Sequence, residues 1–99
     1  MLITDEQLKD LGDLKYGQVY KFNYKLVNSG DNDVHINKLQ VSCSSCTTAS
    51  INKKIVKPGE EVLVNVTFTP GTINKQRKHI DVLYDSTGLR LEFVGESHG

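Results

Sequence analysis

Apolar and polar side chains alternate one for one through most of this chain, and that two-residue rhythm constrains the fold more than any other feature. Between Gln18 and Asn28, the residues Tyr20, Phe22, Tyr24 and Leu26 alternate with Lys21, Asn23 and Lys25, as in a strand with one buried face. Val62, Val64, Val66 and Phe68 alternate without fault. Ile80, Val82 and Tyr84 lead into an Asp85-Ser86-Thr87-Gly88 turn followed by Leu89, Leu91 and Phe93, which reads as a hairpin. Val34 and Ile36 open a further strand whose phase slips at Asn37-Lys38 before Leu39 and Val41 resume. A β-bulge there keeps all four side chains inside. Ile51 to Val56 reads as a short strand with Ile55 inward. It stops at Lys57-Pro58-Gly59-Glu60, where proline presets φ and glycine accepts the positive φ of a type II turn.

With one more strand near Leu8 to Leu14, the pattern predicts an all-β fold, an immunoglobulin-like Greek-key β-sandwich of about seven antiparallel strands. No stretch carries the 3.6-residue period that crossover helices would need, which argues against a parallel sheet. The 99 residues suit one hydrophobic core, so residues 1–99 are expected to form a single domain. Thr4-Asp5-Glu6-Gln7 fits a capping box ahead of Leu8 and Leu11, and residues 1–10 are expected to form either a short capped turn or an edge segment. The absence of tryptophan and of widely spaced cysteines argues against an antibody-type domain.

Twelve lysines and arginines balance twelve acids, so no broad positive field exists to collect nucleic acid. No apolar run approaches the roughly 18 residues of a membrane span, and Asp5 and Glu6 stand where a signal peptide would be basic. These features predict a chain kept in the cytoplasm as synthesised unless a virion or partner carries it out. They leave a protein partner or self-assembly as the expected association.

In chain order, Asp10-Leu11-Gly12, Gly17, Asn28-Ser29-Gly30, Val41-Ser42-Cys43-Ser44-Ser45-Cys46-Thr47, Pro58-Gly59-Glu60, Val66-Thr67-Phe68 and Lys78-His79-Ile80-Asp81-Val82 carry a resemblance. The chain resembles bacterial and phage immunoglobulin-like domains of unknown function with a Cys-Gly-Cys-Thr-type motif, which are similar to the ASH and major sperm protein sandwiches. Here Ser44-Ser45 replaces the single glycine, and Asn74 stands where the pattern has glycine. The resemblance implies a scaffold or adaptor role. For a stand-alone copy without a signal it implies a tailed-bacteriophage component such as a capsid or tail decoration.

The candidate sites are few. Cys43 and Cys46 form a CxxC at a strand end, where no helix pattern follows to lower a thiol pKa as a redox enzyme requires. If the Val34–Val41 strand pairs antiparallel with the Lys78–Tyr84 strand, His79 falls near that pole. Cys43, Cys46, His79 and His98 could then converge as a Cys₂His₂ metal set, whereas His35 lies at the other end. The serines at 42, 44 and 45 have no base or acid placed beside them by any motif, and the glycines stand singly at turns, so neither catalysis nor a phosphate cradle is expected. No cofactor is expected. Asn65-Val66-Thr67 matches a glycosylation sequon within a strand. Leu63, Leu83 and Val94, with Val19 and Val27, point away from the core on the alternation and are the candidate interaction residues. The leading expectation is a non-enzymatic structural or protein-interaction module. The alternative is a small metal-binding or thiol redox protein using Cys43 and Cys46.

Overall fold

The computed structural model describes all 99 residues. It contains nine strands and no helix: β1 (Leu2–Ile3), β2 (Leu8–Lys15), β3 (Tyr20–Asn28), β4 (Val34–Val41), β5 (Thr47–Ile51), β6 (Ile55–Val56), β7 (Glu61–Phe68), β8 (Lys75–Tyr84) and β9 (Thr87–His98). They form two layers, a four-stranded sheet in the order β1-β3-β7-β5 and a five-stranded sheet in the order β2-β9-β8-β4-β6. The alternation explains the layering. Tyr24 and Leu26 on β3, Val62, Val64, Val66 and Phe68 on β7, Ile80 and Val82 on β8, and Leu91 and Phe93 on β9 are all buried between the sheets. Phe93 meets Phe68 and Phe22 across the gap, with ring centroids 4.9 and 5.1 Å apart in edge-to-face geometry.

Two edge runs switch sheet along the sides of the sandwich. β1 pairs with β3 at Leu2↔Asn28 and Ile3↔Val27, and the chain then crosses to β2, which joins β9. On the opposite side β5 pairs with β7, and the chain crosses at Asn52–Lys54 to β6, which pairs with β4 at Val34↔Val56 and His35↔Ile55. Each side of the sandwich is thus closed by one run of chain that serves first one sheet and then the other.

Several expectations require revision. Nine strands replace seven, because each sheet-changing run divides in two. β2 and β9 are parallel, and they need no crossover helix because the rest of the domain lies between them in sequence. Thr4–Gln7 is not a helical turn. It is the crossing loop between sheets, with Thr4 Oγ1 accepting the Glu6 N–H at 3.3 Å, and residues 2–3 form an edge strand. Ile55 is 51% exposed and Val56 fully buried, the reverse of the expected phase. The bulge does fall at Asn37, between Ile36↔Tyr84 and Lys38↔Leu83. Gly59 has φ of 80° in a turn where the Glu60 N–H reaches the Lys57 carbonyl at 2.9 Å.

Buried polar groups hold the layers in register. The Tyr24 hydroxyl donates to the Glu92 carbonyl at 2.6 Å, and the Leu2 N–H donates to the Tyr84 hydroxyl at 3.3 Å. Asn28 is buried at one pole. Its amide donates to the Asn32 and Val56 carbonyls at 2.8 Å, and its oxygen accepts from the Met1 nitrogen at 3.2 Å and the Gly30 N–H at 3.0 Å. That one side chain joins β3, the β3–β4 turn, β6 and the first residue.

Phe93→Ala should cost about 3–5 kcal/mol in urea unfolding through the cavity it leaves, whereas Ile55→Asp should change stability by less than about 0.5 kcal/mol. Equal losses at both positions would contradict this assignment of faces.

Candidate functional site

The sheet-changing runs create the two sheltered recesses at the sides of the molecule. Where a run belongs to one sheet, the edge strand of the other sheet beside it is bare. β1 covers only Val27 and Asn28 of β3, so Tyr20–Leu26 forms an open edge. β6 covers only Val34 and His35 of β4, with one more bond from the Ile36 N–H to the Lys54 carbonyl at 2.8 Å, so Asn37–Val41 is a second open edge. A cleft of about 240 Å³ lies at each edge, under the crossing chain.

The two clefts differ in content. The β3 cleft is lined by Ile3, Asn23, Tyr24 and Val27 and by charges of both signs, the acidic Asp5 and Glu6 and the basic Lys9 and Lys25. Lys9 pairs with Glu6, and its Nζ stands 5.3 Å from the centre of the Tyr24 ring. Burial, helped by Glu6 and Glu92, pushes the Tyr24 phenol above its ordinary pKa, so it stays a neutral donor. The β4 cleft is lined by Ile36, Leu39, Ile51, Asn37, Ser50, Lys38 and Lys54, without an acid. None of the ion pairs of the chain involves Lys38 or Lys54.

The backbone direction at the β4 edge follows from the neighbouring bonds. The Ser42 N–H donates to the His79 carbonyl at 3.0 Å, toward β8. Along an antiparallel ladder that direction alternates, so Gln40 and Lys38 also face β8 while Leu39 and Val41 turn their N–H and C=O groups outward. The Asn37 bulge is what shifts the phase between Ile36, which bonds to Lys54, and Leu39.

At the cysteine pole, Cys43 and Cys46 form a disulfide with Cα atoms 5.6 Å apart, closing a turn in which the Thr47 N–H donates to the Cys43 carbonyl at 2.9 Å. His79 reaches this pole through its backbone, where its N–H donates to Ser42 Oγ at 3.0 Å, but its ring lies 3.8 Å from Asp81. His98 does not reach it. His79 is opposite Glu92, and His98 lies six residues further along β9, roughly 20 Å away at ~3.3 Å per residue. His98 pairs instead with Asp13 at 3.1 Å. No three His, Cys, Asp or Glu side chains come together as a metal set, so the convergence of Cys43, Cys46, His79 and His98 that the sequence left open does not form.

Leu63, Leu83 and Val94 are all half-buried and do not form one patch. Leu63 lies on the outer face of the first sheet, opposite Lys25. Leu83 and Val94 lie on the outer face of the second, opposite Gly88 and Arg77, about 20 Å apart along β9. Charge pairs occupy the face between them, with Arg90 on Asp81 at 2.8 Å and Arg77 on Glu92 at 3.2 Å. The Arg90 hydrogen bond holds the Asp81 carboxyl below its usual pKa. Val27, on the first sheet, is also half-buried, whereas Val19 is exposed. The Asn65 sequon lies exposed at mid-strand in β7. The open edge of β4 escaped the sequence reading. Its traces there are the bulge and the adjacent lysines.

Residues 2–96 match the family described as Protein of unknown function (DUF1573). No curated protein matches the chain. Among solved structures, a protein of unknown function from Porphyromonas gingivalis W83 is similar at TM-score 0.80 and 17% identity, covering 97% of this chain and 45% of that one. The ASH / PapD-like domain 7 of human CEP192 is similar at TM-score 0.73 and 17% identity, covering 98% and 84%. The secreted serine protease VesC from Vibrio cholerae is similar at TM-score 0.69 and 17% identity, covering 97% and 23%. At such identities the likeness establishes the immunoglobulin-like fold. The chain spans less than half of the Porphyromonas protein and about a quarter of the protease. No helix is long and apolar enough to cross a membrane.

A carboxyl with a lowered folded pKa stabilises the fold above the ordinary carboxylate range and loses that contribution as pH falls through the folded value. Arg90→Gln should raise the Asp81 pKa toward the ordinary carboxylate range, read by NMR titration of the side-chain carboxyl carbon. An unchanged titration would show that Arg90 is not the cause.

Proposed function

Because this chain belongs to a family of unknown function, DUF1573, and shares with proteins of varied activity a fold alone, we propose that it is a non-enzymatic structural or protein-interaction module. The observation that carries this reading is the pair of bare strand edges at Tyr20–Leu26 and Asn37–Val41, each sheltered by a crossing chain. A bare edge holds ordered donors and acceptors at strand spacing, which is a template for another chain. The groups that could do chemistry are already engaged: the two cysteines with each other, His79 near Asp81 and His98 with Asp13.

The assembly implied by the sequence resemblance is a virion, in which the chain would be a capsid or tail decoration or adaptor. In this reading the protein is made in the cytoplasm and leaves it with the particle, where the Cys43–Cys46 bridge persists in oxidising surroundings. The second reading is a thiol redox protein, in which the same bridge would open and close.

The test is hydrogen exchange on the protein purified with its native complex or particle, against the free chain. The interaction reading predicts slowed exchange at one or both bare edges in the complex, and retained association in a Cys43→Ser, Cys46→Ser variant that has lost about 2 kcal/mol of stability. A chain recovered free from its native source, with edge exchange unchanged, would refute it. Association or activity lost with the cysteines in a folded variant would favour the redox reading.

A further inference from the structure

We infer that the cleft beside β4 receives an extended segment whose residues alternate between apolar and acidic, added as a strand along Leu39 and Val41. This rests on the interaction reading above and names the chemistry of the partner. Three observations converge on it. First, Leu39 and Val41 turn backbone N–H and C=O groups outward, with no strand of this chain to meet them. A partner in extended conformation satisfies them at the ladder spacing. Second, side chains of an added strand would alternate between two surroundings. Those on the inner side meet Leu39 and Ile51, which are only partly buried and line the cleft, while those on the outer side meet Lys38. Third, the rim carries Lys38 and Lys54 with no acid among the lining residues and no ion pair to either lysine.

The charge chooses among occupants. Lysine on an edge strand discourages pairing with like edges, and a second copy of β4 would bring two lysine rims together. Opposite charges directly across a ladder are favourable, and like charges are not. An acidic strand therefore meets the rim best. The β3 edge makes the contrast, since its cleft is lined by charges of both signs, Asp5 and Glu6 with Lys9 and Lys25, and so favours neither sign of partner.

The test uses the isotopically labelled full chain and three synthetic peptides, followed by NMR. One alternates valine and glutamate, one alternates valine and lysine, and one is the valine–glutamate peptide with alternate amides N-methylated. The glutamate peptide should shift the amides of Lys38–Val41 and Ile51, and binding should weaken at roughly 0.5 M salt. Lys38→Glu with Lys54→Glu should weaken it about tenfold or more, with a urea midpoint near that of the parent because both side chains are exposed. The lysine peptide and the N-methylated peptide should not bind. Equal binding of the lysine peptide, shifts confined to Tyr20–Leu26, or no shift at millimolar peptide would overturn the inference. If the glutamate peptide fails while the native complex still protects an edge from exchange, the partner chemistry is wrong and the interaction reading stands. If edge protection in the native complex is also missing, both fall.

Discussion

The seam where Phe22 and Phe68 of one sheet meet Phe93 of the other holds the molecule together, and the remaining features depend on it. Non-directional burial of apolar area supplies the drive. The strict two-residue alternation supplies the direction, because it leaves each strand one face that can enter the seam. Polar anchors then set the layers against each other: Tyr24 to the Glu92 carbonyl, Leu2 to Tyr84, and Asn28 at the pole.

The functional surfaces follow from how such a seam is closed at its sides. Short runs of chain cover both sheets by changing from one to the other, and neither sheet is covered along its whole length. The bare lengths of β3 and β4 are the geometric consequence. On the β3 side the chain blunts its edge with a Lys9–Glu6 pair lying over Tyr24. On the β4 side it leaves Lys38 and Lys54 without acids. The same architecture thus yields one cleft lined by charges of both signs and one whose only charges are lysines, and a single sign of charge selects partners more sharply than a mixed one.

Much of the fold was legible because local chemistry and global packing agree. The phase slip at Asn37 marked a real bulge, and Pro58-Gly59 marked a turn with positive φ. The alternation on β7 was followed by burial without exception at Val62, Val64, Val66 and Phe68. Where the reading failed, a tertiary event intervened that no local pattern encodes. Ile55 and Val56 are both apolar, and which one turns inward is decided by the sheet change just before them. β5 begins at Thr47 rather than at Ile51, since a polar Thr-Thr-Ala-Ser run gives little hydrophobic signal even though Thr47 is buried. Cys43, Cys46, His79 and His98 do not converge because the β8–β9 hairpin overruns the cysteine pole, carrying His98 past it. Alternation identifies an outward face but does not encode that Leu63 and Leu83 belong to opposite ones. The open edge is a statement about which strand is missing, and that is invisible until the topology is known.

Beyond the Asn37 bulge, β4 is covered by β8 on one side and bare on the other. Residue-resolved amide hydrogen exchange of the free protein measures this directly. Leu39 and Val41 should exchange quickly, while Gln40 on the same strand and Val82 on β8 exchange slowly. Protection of Leu39 and Val41 as strong as that of Val82 would show that the edge is already paired, and the account built on it would be wrong.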